Sequence, residues 1–145
     1  MTLKNREKYK RIKLAQNPST PLDILRELAK DSHQDVRYEV GRNPSTPVDA
    51  LRELARDEDI DVIRTVAENS NVDEVLYELA KTNVEYITYG LVQNNNSSSK
   101  VLITILKYEK SLNNPSPFII SETYYHQNCP DFLKSIIETL FKEML

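Results

Sequence analysis

A five-residue phrase occurs twice in this chain. Asn17-Pro18-Ser19-Thr20-Pro21 returns unchanged as Asn43-Pro44-Ser45-Thr46-Pro47. The copying continues beyond it, with Leu22-Asp23-Ile24-Leu25-Arg26-Glu27-Leu28-Ala29 answered by Val48-Asp49-Ala50-Leu51-Arg52-Glu53-Leu54-Ala55. Self-similarity at this period restricts the fold sharply. A unit of about 26 residues cannot bury its own apolar face, so successive copies must stack on one another.

On a helical wheel at about 100° per residue, Asp23, Arg26, Glu27 and Lys30 share one polar arc, opposite Leu22, Ile24, Leu25, Leu28 and Ala29. The second copy sorts the same way, with Asp49, Arg52, Glu53 and Arg56 polar. Thr20 and Thr46 are expected as N-caps, with proline at the first helical position and an aspartate three residues after the threonine. A second, shorter helix is expected around Gln34 to Arg42 and again around Ile60 to Glu68. Val36 and Val40, and Val62 and Val66, pair there at i, i+4. Asn43 and Asn69 then end these helices, a position that suits asparagine's tolerance of the left-handed conformation.

The third copy, from Asn69, has lost both prolines and one residue, yet Leu76-Tyr77-Glu78-Leu79-Ala80 restores the helix pattern. Asn71 and Glu74 can replace the cap pair, and Tyr86 to Gln93 is the matching second helix, ending at Asn94. A fourth copy keeps Leu102, Ile105 and Leu106 in register. The spacing then breaks, because the interval from Asn94 to Asn128 is longer than any before it. A loop over 107–117 is expected to absorb the excess. Pro117 to Gln127 resumes as helix, Asn128-Cys129-Pro130 repeats the turn, and Phe132 to Leu145 closes the array. Lys4 to Gln16 reads as the second helix of an incomplete first repeat.

The expected fold is therefore all-α: a right-handed α-α superhelix of four to five two-helix repeats in one domain. Residues 1–16 form an N-terminal capping helix, 17–106 the repeats, and 107–145 a divergent C-terminal repeat and cap.

Asn-Pro-x-Thr-Pro, then Leu-x-x-Leu-Ala-x-Asp, then Asp-Val-Arg resembles the leucine-rich repeat variant family, relatives of HEAT and armadillo solenoids. The residues that carry it are Asn17 to Pro21, Leu25 to Ala29 with Asp31, Asp35-Val36-Arg37, and then Asn43 to Pro47 and Leu51 to Ala55 with Asp57. The resemblance implies alternating helices and no sheet. A founding member carries a cysteine-rich iron–sulfur module, for which a chain with one cysteine offers no ligand set. Neither a cofactor nor a bound metal is expected.

Charge is segregated. As far as Lys13, the bases Lys4, Arg6, Lys8, Lys10, Arg11 and Lys13 face only Glu7, whereas residues 14–80 carry fifteen acids against seven bases. The basic start could reach an anionic partner, although a solvated capping helix around Ile12, Leu14 and Ala15 is the plainer account. No stretch approaches the roughly 20 apolar residues of a membrane span, and no secretory signal opens the chain, so a cytoplasmic location is expected.

Other constellations have plain structural explanations. The asparagines Asn17, Asn43, Asn69, Asn94 and Asn128 are expected to satisfy backbone groups in the turns between repeats. Asp57, Asp59, Asp61 and Glu68 imitate a calcium loop but have Val62 where glycine is required. His33 and His126 are far apart, and His126 with Cys129 lacks an orienting group, so catalysis is not expected.

In the second helices the valines turn one way, while Tyr38, Arg42, Arg64, Glu68, Tyr89 and Gln93 turn the other. Stacking would align these six into a stripe mixing aromatic and arginine side chains, the types enriched at binding hot spots. The expected function is a non-catalytic scaffold that holds another protein or a peptide in a repeat-built groove. Nucleic-acid binding, or a role as an enzyme's regulatory subunit, are the alternatives.

Overall fold

The computed structural model describes residues 3–142, with side chains from Glu7 onward. Among the described residues there are ten helices and no strand. The chain divides into two compact units, Met1–Ser70 and Asn71–Leu145.

The first unit holds α1 (Leu3–Gln16), α2 (Leu22–Leu28), α3 (Gln34–Arg42), α4 (Val48–Leu54) and α5 (Ile60–Asn69). The second helices of the repeats, α1, α3 and α5, lie side by side, and α2 packs on α4. Leu25, Val36, Val40, Leu54, Val62 and Val66 are fully buried, so the apolar positions that recur along the chain become one core. The wheel assigned too much to that core. Leu14, Leu22 and Val48 are all more than two-fifths exposed, because each lies at the edge of its helix's apolar arc.

The second unit holds α6 (Asp73–Ala80), α7 (Glu85–Gln93), α8 (Ser99–Ser111), α9 (Pro117–Tyr125) and α10 (Asp131–Leu140). Here α6 packs on α8 and α7 on α9. Leu102, Leu106, Ile120, Leu133 and Ile137 form its terminal core. The excess residues after Asn94 are largely helical. At 13 residues α8 is nearly twice the length of α2 or α4, which leaves only a short link before α9. The closing helix, expected to reach Leu145, ends at Leu140, because Phe141 leaves the helical conformation, and residues 143–145 lie outside the described ones.

The turns work differently from the expected capping. Pro21 and Pro47, not the threonines, sit at the N-caps, and neither helix start receives a side-chain bond. Thr20 and Thr46 instead reach backwards, each donating to the carbonyl six residues earlier, on Leu14 and Val40, at 2.6 Å. Ser97 does the same to Leu91. The hydroxyl thus satisfies a last-turn carbonyl that the preceding helix leaves open. Nor do Asn71 and Glu74 cap α6, whose N-cap is Val72. Side-chain caps occur at Asp59, Ser98 and Ser116, where the N-cap residue is not itself proline.

Asparagine's role is also specific. Asn43 is extended (φ −75°, ψ 120°), not left-handed. Its Oδ1 accepts from the Ser45 N–H, while Nδ2 donates to the Ala15 and Asn17 carbonyls of the preceding turn at 2.6 and 2.9 Å. One buried side chain therefore joins two consecutive repeats. Among the described non-glycine residues only Asn83 has positive φ.

This C-cap slot is filled by Asn17, Asn43, Ser70, Asn94 and His126 in turn, which corrects the expected Asn69 and Asn128. Asn69 is the last residue of α5 and bonds its own helix at the Thr65 carbonyl. Asn128 reaches the Asn95 and Ser97 carbonyls from two residues beyond the slot. His126 reproduces two of the three asparagine bonds: Nδ1 accepts from the Asn128 N–H and Nε2 lies 2.9 Å from the Asn94 carbonyl. Those partners assign the neutral ring with its proton on Nε2.

Asn43→Ala is expected to lower stability by about 1 kcal/mol, since two carbonyls lose their donor. His126→Asn should cost less than His126→Ala, because only asparagine keeps both bonding edges. Urea midpoints of the three variants check this; an unchanged midpoint for Asn43→Ala would refute it.

Candidate functional site

Within the first unit, α1, α3 and α5 enclose a groove of about 400 Å³. Its lining includes Tyr38 and Glu39 of α3, Val62 and Arg64 of α5, and Ile12 of α1. Two members of the sequence stripe, Tyr38 and Arg64, thus come together on one concave surface. They converge because both occupy the outward face of helices whose valines point into the core. Arg42 and Glu68 lie beside the groove. Arg42 stacks over the Tyr38 ring at 5.9 Å, and Glu68 accepts from Arg64 Nη1 at 2.6 Å. Both contacts follow from i, i+4 spacing.

Carboxylates predominate in the groove wall. Asp35, Glu39, Asp59 and Asp61 line it beside Arg64, which Asp61 approaches at 3.8 Å, while Lys8 pairs with Asp35 at 2.7 Å and Arg42 lies 4.0 Å from Glu39. Sequence reasoning named Asp35 only as a repeat-motif residue and Asp59 and Asp61 only as a calcium-loop imitation, and placed none of the four acids at the groove, because it ranked positions by hot-spot residue type. Their spacing, on the first turns and outward faces of α3 and α5, was there to be read. Asp59 spends one oxygen on the Asp61 and Val62 N–H groups, as a helix cap and not as a calcium ligand. No group of three or more His, Cys, Asp or Glu able to hold a metal occurs among the described residues.

The remaining two stripe residues belong to the second unit. Tyr89 packs edge-on against Phe118 with ring centres 5.0 Å apart, and its hydroxyl bonds Glu85. Gln93 lines a polar hollow of about 290 Å³ with Glu122, Tyr125 and Gln127. His126 also touches this hollow, but both its ring nitrogens face backbone groups, and burial pushes the Cys129 thiol pKa up. A thiolate–imidazole pair is not assembled there.

The described cations of the basic first helix make contacts within the chain. Lys8 pairs with Asp35 at 2.7 Å, Lys10 with Glu7, and Lys13 lies over the Tyr9 ring. Arg11 grips Asp31 through Nε and Nη2 at 2.5 and 3.3 Å. The next repeat copies that grip with Arg37 and Asp57, at 2.7 and 2.8 Å. Lys4 and Arg6 lie outside the residues whose side chains are described.

Burial would raise the pKa of Asp57, but the Arg37 guanidinium and the Asp59 N–H outweigh it and hold the carboxyl below the ordinary aspartate value. Asp31 is depressed likewise, burial being overcome by Arg11 and the His33 N–H. A carboxyl depressed in the fold stabilises fully above the unfolded pKa, about 3.9, and loses that contribution as pH falls through the folded value. In the second unit Glu109 runs oppositely. Burial raises its pKa, the Ser116 N–H partly offsets this, and Glu85 adds to it. Protonating Glu109 therefore favours the fold, and that contribution fades as pH rises. Acid should loosen residues 3–70 below about pH 4. Asp57→Asn should flatten the fall of the urea midpoint between pH 6 and pH 3; an unaltered fall would overturn the assignment.

Stacked two-helix units joined by side-chain bonds to the neighbouring turn define a helical-repeat scaffold of the HEAT-like kind. A family model described as leucine rich repeat variant matches residues 35–59. That segment runs from α3 through the turn and α4, and contains both Arg37 and Asp57. No curated protein and no solved structure matches the chain.

Proposed function

We propose that the chain is a non-catalytic scaffold that holds a segment of another protein, or a peptide, against the groove formed by α1, α3 and α5. The observation that carries this reading is the convergence of Tyr38 and Arg64 in one groove with four carboxylates. Tyr38 offers a half-buried aromatic surface, and the carboxylates favour a segment that brings lysine or arginine beside an apolar side chain. Nucleic acid is disfavoured by the same acids, which would face phosphates, and by the internal pairing of the described cations of α1. No helix among the described residues is long and apolar enough to cross a membrane. Tyr89 and Gln93 are assigned to partner contact from the second unit, and a cytoplasmic location suits this role.

The test is affinity purification from native cells beside the Tyr38→Ala/Glu39→Lys variant, followed by titration of the recovered segment. Retention should fall at least tenfold in the variant and weaken with salt. A partner held equally by both proteins overturns the reading, and salt-sensitive retention of DNA or RNA would support the nucleic-acid alternative.

A further inference from the structure

The turn slots give an internal register for comparing repeats. Counting from Thr20 and Ser97, Arg26 corresponds to Ile103 and Lys30 to Lys107; counting from Thr46 and Cys129, Asp49 corresponds to Phe132 and Glu53 to Ile136. In the first unit these positions form surface ion pairs between α2 and α4: Arg26 with Asp49 at 2.7 Å and Lys30 with Glu53 at 3.6 Å. In the second unit the same positions are Ile103 and Lys107 of α8 and Phe132 and Ile136 of α10, and all four line one groove. Three of these four are apolar.

The result is an apolar groove of about 210 Å³, lined by Ile103, Phe132, Ile136 and Leu140 among others. Phe132 is 59% exposed, and Ile136 and Leu140 are each 45% exposed. Surface apolar residues are ordinarily scattered singly, so three large apolar side chains in a row at i, i+4 and i+8 mark a contact surface. Among the described residues, the ionisable ones lining the groove are Lys107 and Lys110, with no carboxylate. On α10, Glu138 is tied to the Tyr124 hydroxyl.

We infer that the groove between α8 and α10 docks an amphipathic helix that carries apolar side chains at i, i+4 and acidic residues along its flank. The stretch from Phe132 to Leu140 spans roughly 12 Å at 1.5 Å per residue, enough for about two turns of such a helix. Charge complementarity selects this occupant. A second copy of the same face would bring lysines to lysines, whereas an acidic flank meets Lys107 and Lys110. This surface differs in chemistry from the acidic groove of α1, α3 and α5, and each can be tested without the other.

The probe is a fluorescein-labelled 18-residue helical peptide with leucines at i, i+4 and glutamate flanks, titrated into the full chain. Saturable binding is expected, weakened at least tenfold by Ile136→Glu and by Lys107→Glu/Lys110→Glu. A lysine-flanked version of the peptide should prefer the charge-reversed protein. Ile136 is exposed, so its substitution should leave the circular dichroism spectrum and urea midpoint unchanged. Phe132→Ser provides a second reading if Ile136→Glu does not fold. Equal binding by parent and Ile136→Glu overturns the inference. So does a parent dimer that Ile136→Glu converts to monomer, or capture by vesicles in place of the peptide.

Discussion

Arg37→Ala is expected to destabilise the first unit by about 3–5 kcal/mol, the cost of removing one partner from a buried ion pair. Both side chains are nearly buried, at 10% and 7% exposure, and the two parallel bonds of the guanidinium match the carboxylate edge for edge. The loss extends further, because Arg37 Nη1 also donates to the Asp31 carbonyl at 2.8 Å. Deleting the arginine strands a buried carboxylate and a carbonyl together. Arg37→Met/Asp57→Asn should therefore cost less than the sum of its single variants, since asparagine can still accept from Asp59 N–H and no charge is left unpaired. Urea denaturation read by hydrogen exchange in α3 and α5 measures the effect. A loss below about 1 kcal/mol, typical of an exposed pair, would show that the grip is ornamental.

Gly41→Ala should also destabilise, against the usual preference of a helix for alanine. In an open helix the change gains about 1 kcal/mol. Gly41, however, lies where α3 meets α5, and a Cβ there would fall well inside contact distance of Thr65 Cγ2. Thr65 is 1% exposed and β-branched, so it cannot swing aside. Overpacking of this sort costs about 1–3 kcal/mol, which leaves a net loss of up to about 2 kcal/mol. Thr65→Ala removes the obstructing methyl and should rescue the alanine. The Thr65 hydroxyl has no hydrogen-bond partner among the described residues, so its deletion sacrifices no bond. Urea midpoints of the two singles and the double complete the cycle; strictly additive losses would exclude the steric explanation.

The two predictions locate stability between consecutive repeats, where the sequence carries partial signals. Arg11 and Arg37 are one repeat apart, as are Asp31 and Asp57, so both grips were visible as recurring letters. The register also shows where the series stops. The third-repeat counterparts, counted from Val36 to Val62 and from Leu54-Ala55 to Leu79-Ala80, are the uncharged Ile63 and Thr82. What the letters did not show is that each arginine reaches into the following repeat. A periodic wheel reports which way a residue faces on its own helix and is silent about the helix beside it.

The candidate groove was legible to a similar depth. Tyr38 and Arg64 were placed on one face by helical geometry, and the structure seats both in the groove wall. Arg42 and Glu68 share that face but turn to neighbours on their own helices, because local i, i+4 partners were available. The acids were not assigned to the groove because their importance depends on which helices lie next to one another. The exposed stripe on α10 had a signal too, in three large apolar residues four apart. The same spacing reads equally as core until the position of the neighbouring helix is known.

The sequence by itself determined the all-helical class, the repeat phase, the helices as far as α7 to within about two residues, and the valine and leucine positions that meet in the core. These follow from periodicity and turn chemistry, which act over a few residues along the chain. Tertiary structure alone decided what the turn side chains bond. A threonine at the mouth of a helix can cap the helix ahead or close the one behind, and both choices look identical in one dimension. Stacking resolved it in favour of the helix behind. It likewise put His126 in a slot otherwise filled by asparagine or serine, because the slot requires an acceptor for the second N–H onward and a donor for the previous turn, and a neutral imidazole supplies both.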